Sequence, residues 1–257
     1  MDASRPPIDR RDLIEGLGKG LRVIEAFGDD HPRLTPSEAA LRTGLTRTAA
    51  RRYLLSLVYF GYAVTDGKQF WLTPRVLRLG QSYLGAARLP RLVQPFIQRL
   101  SAQCGETVNV SVLDGHDVVY VARSSTPRFV SIGYAAGIRV PAHVVTPGFV
   151  MLSYLPDAAL GEWIARHEFS VFTPHTVVDP ARFRADVVKA RELDYWCTDQ
   201  QLELGLRGIS VALLDRRGEC KGAMGTTVPT QAYTADELVA QILPRLRDTA
   251  LQLRPLL

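Results

Sequence analysis

Two short helices joined by a glycine-containing turn constrain this chain more than any other feature. Residues 35–44 read TPSEAALRTG. Thr35 stands at the N-cap, Pro36 occupies the first helical position, where its missing N–H removes no bond, and Glu38 falls three residues after the cap. Gly44 ends the helix, since glycine enters the left-handed conformation without a steric penalty. Two residues later Thr46 caps a second helix, TRTAARRYLLSLVYFG, closed by Gly61. This is the helix-turn-helix unit. In its second helix Ala50, Tyr53, Leu54, Leu57 and Val58 recur at helical spacing. They leave Arg47, Thr48, Arg51 and Arg52 off the apolar stripe, on the N-terminal half that reads base edges in a major groove. After Gly61, YAVTDGKQFWLTP alternates around an Asp66-Gly67 turn, a hairpin that makes a wing carrying Lys68. Upstream, Leu17, Leu21, Ile24 and Phe27 form one stripe of a preceding helix.

The charge distribution agrees with that reading. The 257 residues carry a net charge of +5, but residues 1–91 hold 15 Lys/Arg against 9 Asp/Glu, while residues 92–257 hold 16 against 17. Between Arg33 and Arg91 ten basic residues face only Glu38 and Asp66. A segment so basic is suited to neutralising the phosphates of double-stranded DNA. The remainder has no such bias.

Several classes are disfavoured. No apolar run approaches the roughly 20 residues of a membrane span, and MDASRPPIDRRD lacks the apolar core of a secretory signal, so residues 1–15 are expected to be a disordered tail of a cytoplasmic protein with no membrane partner. Cys104, Cys197 and Cys220 are too scattered for a disulfide framework or a zinc knuckle and read as small buried hydrophobes. No GxSxG, HExxH or GxxxxGK[ST] motif and no His/Cys/Asp cluster at metal spacing occurs, so neither catalysis nor a metal or other cofactor is expected. An architectural DNA-binding protein would explain the basic segment but not the larger, charge-balanced remainder of the chain.

Pro74 opens a helix over 74–90 that reads as a linker between a winged helix-turn-helix domain at 16–73 and a larger domain at 91–257. In the latter, helices are expected at 92–103, 149–155, 158–166, 180–193 and 234–253. Strands are expected at 107–113, 118–123, 208–214 and 221–228, paired around Asp114-Gly115 and Arg217-Gly218. Hairpins interspersed with helices predict an α+β domain with an antiparallel sheet.

LTPSEAALRTGLTRTAARRYLLSLVYFGYAVTDGKQFWLTPRVLRLG resembles the DNA-binding domain of the IclR family of bacterial regulators. VNVSVLDGHDVVYVARSS, IGYAAGIRVPAHVVTPG and LDYWCTDQQLELGLRGISVALLDRRGE resemble successive landmarks of its effector domain, so the likeness spans roughly residues 16–255. The arginine-rich helix, the wing and the WLTPRVLRLG junction are most similar to the branch that regulates aromatic-acid catabolism by the β-ketoadipate route. The resemblance implies a C-terminal α/β (GAF-like) effector-binding domain, self-association as a dimer or tetramer, and a small-molecule effector. It implies DNA contacts from Thr46, Arg47, Thr48, Arg51, Arg52 and Lys68. It also implies a pocket bordered by Phe129, Ile132, Val140, Thr146, Pro147, Thr198, Leu206, Gly208, Gly225 and Thr227. Glycine at 208 and 225 is expected to leave room for an aromatic carboxylate in place of a small aliphatic keto acid, with the hydroxyls of Thr146, Thr198 and Thr227 as polar partners. His143, Arg123 and Arg139 are set outside this pocket, since each has an ordinary structural use as a hydrogen-bonding or ion-pairing side chain.

Overall fold

The computed structural model describes residues 8–124 and 134–257. The chain divides into two compact units, 1–83 and 84–257. Within the expected N-terminal tail, residues 1–7 lie outside the described residues, and Arg10–Asp12 forms a 3-10 turn ahead of α1 (Glu15–Glu25).

The first unit follows its capping signals. The N–H of Glu38 donates to Thr35 Oγ1 (3.3 Å) while the Thr35 N–H donates to Glu38 Oε2 (2.7 Å), which closes the capping box at the start of α2 (Pro36–Thr43). Gly44 ends α2 at φ +67°, and the Ala49 N–H donates to Thr46 Oγ1 (3.2 Å) at the start of α3 (Arg47–Tyr59). Ala50 and Leu54 of α3 are fully buried beside Val23, Leu34, Ala39 and Phe70. The wing is the two-stranded sheet of β1 (Ala63–Thr65) and β2 (Phe70–Leu72), its turn held by Asp66 Oδ1, which accepts from the N–H groups of Lys68 (2.9 Å) and Gln69 (2.8 Å). The predicted stripe on α1 turns partly outward: Val23 and Ala26 take the core side, leaving Leu17 64% and Leu21 43% exposed.

The single linker helix expected over 74–90 is interrupted. A 3-10 turn at Pro74–Val76 leads into α4 (Leu77–Ala86), Ala87 is extended, and α5 (Arg88–Cys104) begins anew. Pro90 supplies the reason. Its ring would clash with the Ala86 carbonyl in a continuous helix, whereas in the first turn of α5 its missing N–H is harmless.

The second unit is built on a six-stranded antiparallel sheet in the order β5-β4-β3-β8-β7-β6. Its strands are β3 (Val108–Asp114), β4 (Asp117–Arg123), β5 (Arg139–Pro141), β6 (Trp196–Asp199), β7 (Leu206–Leu214) and β8 (Cys220–Pro229). The short strands β5 and β6 are additions to the predicted set. Each is too brief to show a period of two, and each is recruited as an edge by a longer neighbour. One face carries Val110, Ile209, Val211 and Met224 against α5 and the C-terminal helix. The other is covered by a turn at Ala142–Val144, α6 (Thr146–Leu152), α7 (Asp157–Arg166) and α8 (Pro180–Leu193), around Phe149, Leu152 and Phe183. The predicted C-terminal helix is split into α9 (Ala235–Glu237), a π-helical stretch (Leu238–Ile242) and α10 (Leu243–Leu253). Pro244 removes one backbone donor, and the widened turn before it accommodates the loss.

Three glycines of this unit, Gly148, Gly222 and Gly225, are required by contact. A Cβ on Gly148 would collide with the Ala142 carbonyl oxygen, and one on Gly225 with Ser210 Oγ and the Ile209 carbonyl oxygen, whereas Gly85 on α4 faces open space. We therefore expect Gly148→Ala and Gly225→Ala each to destabilise the protein by about 1–3 kcal/mol or more, and Gly85→Ala to be neutral or stabilising by about 0.5 kcal/mol. Urea midpoints measure this; a Gly148→Ala midpoint equal to that of the parent would refute the close contact.

Candidate functional site

Two surfaces carry chemistry. On α3 the side chains of Arg47, Thr48, Arg51 and Arg52 are exposed, and none of the three arginines has an acidic partner among the described residues. Lys68 is exposed at the tip of the wing. Thr46 differs, because its hydroxyl is already engaged as the N-cap acceptor. Nor are all ten basic residues of this region at liberty. Arg33 lies over the Trp71 ring (4.4 Å), Arg75 over that of Tyr62 (5.3 Å), and Arg42 Nε donates to the Ala26 carbonyl (2.9 Å). Arg47, Arg51 and Arg52 on α3 and Lys68 at the wing tip are thus exposed and available to phosphates and base edges.

The second surface is a cleft between the sheet and the start of α6. Register alone defines its floor. Thr198, Gly208 and Thr227 are aligned across β6, β7 and β8; in the next row of the same face Ser210, Gly225 and Asn109 are aligned across β7, β8 and β3. Thr146 and Pro147 border the floor from α6, Leu202 from the segment between β6 and β7, and Leu206 from the start of β7. Tyr120 and Tyr134, ring centroids 5.0 Å apart, form an aromatic wall. Burial pushes both phenols well above the usual tyrosine range, so they remain protonated, and the Tyr134 hydroxyl donates to Glu203 Oε1 (2.8 Å).

Seven of the ten residues expected at a pocket line this cleft: Thr146, Pro147, Thr198, Leu206, Gly208, Gly225 and Thr227. Val140 on β5 instead packs in the core beside Val118, and Phe129 and Ile132 lie outside the described residues. The reason for the two glycines differs from the room expected of them. Gly225 lets β7 and β8 approach, and the space at Gly208 is already bounded by Thr146 and Thr198 at 3.2–3.3 Å from where a Cβ would stand. Thr146 Oγ1 and Ser210 Oγ, 2.7 Å apart, satisfy one another.

Sequence reasoning missed Asn109, Ser111, Ser210, Tyr120, Tyr134 and Gln201. A signal existed, since Asn109 and Ser111 alternate with Val108, Val110 and Val112, but polar alternation equally marks a strand with one wet face. Four buried side-chain atoms lack a hydrogen-bond partner among the described residues, and Asn109 Oδ1 and Gln201 Oε1 belong to this cleft. A third, Arg207 Nε, is one residue out of step with Gly208 and Ser210; its guanidinium turns to the other face, towards the Tyr233 carbonyl and Asp199 Oδ2 (2.9 Å).

His143 and Arg139 are structural. Arg139 pairs with Asp114 (2.6 Å) and Asp117 (3.1 Å) at the surface, and Arg123 is not among the cleft residues. His143 Nε2 donates to the Ser170 carbonyl (3.0 Å), which leaves its Nδ1 to accept from His167 Nε2 (2.7 Å), and His167 Nδ1 then accepts from His116 Nδ1 (3.1 Å). Three imidazoles in series thereby tie the Ala142–Val144 turn to the segment after α7.

Among the described residues no helix is long and apolar enough to cross a membrane. Residues 16–67 match the IclR helix-turn-helix domain and residues 81–254 the C-terminal domain of the bacterial transcriptional regulator IclR. The chain belongs to the IclR family. As an IclR-family protein it is a transcriptional regulator, not an enzyme. It is 42% identical to the p-hydroxybenzoate hydroxylase transcriptional activator of Acinetobacter baylyi, over 98% of this chain and 95% of that protein. Among solved structures, a transcriptional regulator from Rhodococcus sp. RHA1 is 37% identical with a TM-score of 0.78, covering 93% of this chain and 96% of that one. The inducer-binding domain of a double mutant of PobR from Acinetobacter, in complex with 3-hydroxybenzoic acid, is 36% identical with a TM-score of 0.63, covering 66% and 100%.

The histidine series makes this IclR effector domain sensitive to acid. Burial and the neighbouring His143 and His116 hold His167 down to about 4 from 6.5, and burial lowers His143 as well. Both groups are harder to protonate in the folded protein, so the unfolded chain takes up protons first, and stability is lost as pH falls from about 6.5 towards about 4. A His167→Gln variant is expected to show a shallower fall of Tm across that window, measured by thermal melts at stepped pH; parallel curves for the two proteins would argue against the buried series.

Proposed function

We propose that this regulator binds operator DNA through α3 and the wing, as a dimer or tetramer, and that an aromatic carboxylate held in the sheet cleft sets its output. The observation that carries the ligand reading is the cleft itself: an aromatic wall of Tyr120 and Tyr134 above a floor of small polar residues, two of whose buried acceptors have no partner among the described residues. Rings favour such a wall, and the unsatisfied acceptors favour a ligand with polar substituents. The names of two relatives agree, one an activator of p-hydroxybenzoate hydroxylase expression and one a domain bound to 3-hydroxybenzoic acid. Self-association is supported by the apolar groove lined by Leu17, Leu21, Ile24, Leu57 and Phe60 in the first unit, with Phe60 60% exposed. A protein of this kind works on chromosomal DNA, in the cytoplasm.

Calorimetry against benzoate, hydroxybenzoates, β-ketoadipate-type acids, glyoxylate and pyruvate tests the ligand. Saturable heat with an aromatic acid is expected, and a true effector at about 100 times its Kd adds roughly 2.7 kcal/mol of stability. Exclusive binding of glyoxylate or pyruvate would overturn the aromatic reading.

Replacing Arg47, Arg51 and Arg52 together by alanine is expected to abolish operator binding. Singly, a base-reading arginine loses about 1–3 kcal/mol and its preference at one position, while a phosphate-binding one weakens every sequence and reduces the salt slope by about one. Gel-shift titrations over a salt series separate these outcomes, and sedimentation on the same fragment reads the stoichiometry. Full affinity in the triple variant, or full affinity of a stable monomer, would exclude the corresponding part of the proposal.

A further inference from the structure

Asn109 is the second residue of β3, in the stretch Val108–Ser111 that is buried on both faces, and is 5% exposed. Asparagine is unfavourable in such a place unless its amide is bonded, because a desolvated acceptor with no donor loses what water supplied in the unfolded chain. Its position leads the amide into the cleft. Val108 and Val110 face the α5 side, so Asn109 faces the other; of its two neighbours across the ladder, Gly225 on β8 contributes no side chain and Arg123 stands on the β4 side. Thr146 and Ser210 bond each other, and Thr226 Oγ1 donates to the Thr107 carbonyl (2.8 Å). Asn109 Oδ1 is left with no donor among the described residues.

We propose that Asn109 is the specificity-determining residue that reads a hydroxyl on the ring of the effector, its Oδ1 accepting from the ligand O–H at the floor of the cleft. The inference rests on the aromatic-acid proposal and adds an orientation and a selectivity to it. A carboxylate at neutral pH offers only acceptors, so it cannot satisfy Oδ1; the hydroxyl end of the ligand points to β3 and the acid end away from it. Pyruvate likewise presents acceptors alone and leaves Oδ1 unpaired. Benzoate, which has no hydroxyl, strands the same acceptor. A site built around a ligand hydroxyl rejects the analogue lacking it far more strongly than an apolar pocket rejects a missing methylene, since the loss includes a buried group left without a partner.

The test compares 4-hydroxybenzoate, 3-hydroxybenzoate, 4-methoxybenzoate and benzoate by calorimetry on the full chain and on an Asn109→Leu variant. Leucine has similar volume and no hydrogen-bonding atom. In the parent, at least one hydroxybenzoate is expected to bind about 100-fold or more tightly than both benzoate and the methoxy compound, which has the oxygen but not the proton. In Asn109→Leu, with its fold verified by circular dichroism, the ratio is expected to collapse to within about threefold, chiefly through weaker hydroxybenzoate binding. Equal binding of hydroxybenzoate and benzoate by the parent would overturn the role of Asn109 and leave the aromatic-acid reading standing. So would a folded variant that keeps the parental ratio. Absence of binding by all four compounds would overturn both. Equal binding of hydroxybenzoate and benzoate by the parent overturns the proposal whether or not the variant folds.

Discussion

The close seating of α6 on the effector sheet is the contact on which the rest of that unit depends. Gly148 lies against the Ala142 carbonyl, nearer than any side chain would allow, and this fold of the chain back on itself brings Thr146 within 2.7 Å of Ser210 on β7. Gly225 performs the matching task within the sheet by letting β7 and β8 come together beneath that bond. Interiors are packed densely enough that a single methyl at either place must displace backbone. The cleft is what remains between these close contacts, and its walls are consequently as well determined as the core they grow from.

A sheet covered on both faces also changes the meaning of its polar residues. Asn109, Ser111, Ser210, Thr198 and Thr227 would be unremarked on a solvated face; beneath α6 and the tyrosines each needs a partner. Some find one internally. The acceptors that do not are the places where a donor on a ligand would gain most. The three-histidine series nearby has the opposite arrangement, in which every ring nitrogen that faces the chain of bonds is accounted for and the assembly holds the turn leading to Thr146.

In the helix-turn-helix unit charge is divided by use. Arg33, Arg42 and Arg75 are occupied by aromatic rings or a carbonyl, and Arg47, Arg51 and Arg52 are left without acidic partners among the described residues on the N-terminal half of α3. Composition registered only the sum. The capping box at Thr35 and Glu38 and the αL glycine at position 44 set where α2 ends and α3 begins, and hence which residues of α3 lead.

Much of this was determined by sequence alone, for a local reason. Caps, αL glycines, the Asp66-Gly67 turn and the 3.6-residue period of α3 act over a few residues, so TPSEAALRTGLTRTAARRYLLSLVYFG carries its own fold and the arginines it presents. Family likeness extended that to seven of the cleft-lining residues. What only tertiary structure decided arises between distant segments. The edge strands β5 and β6 exist because β4 and β7 offer them hydrogen bonds, and the outward turn of Leu17 and Leu21 follows from Val23 and Ala26 meeting α2 and α3 first. Glycine at 225 answers to strand spacing in place of ligand size, and Asn109 acquires significance only when its strand is covered on both sides. Burial and partnership are sums over neighbours far apart in the chain, which no local pattern of residues contains.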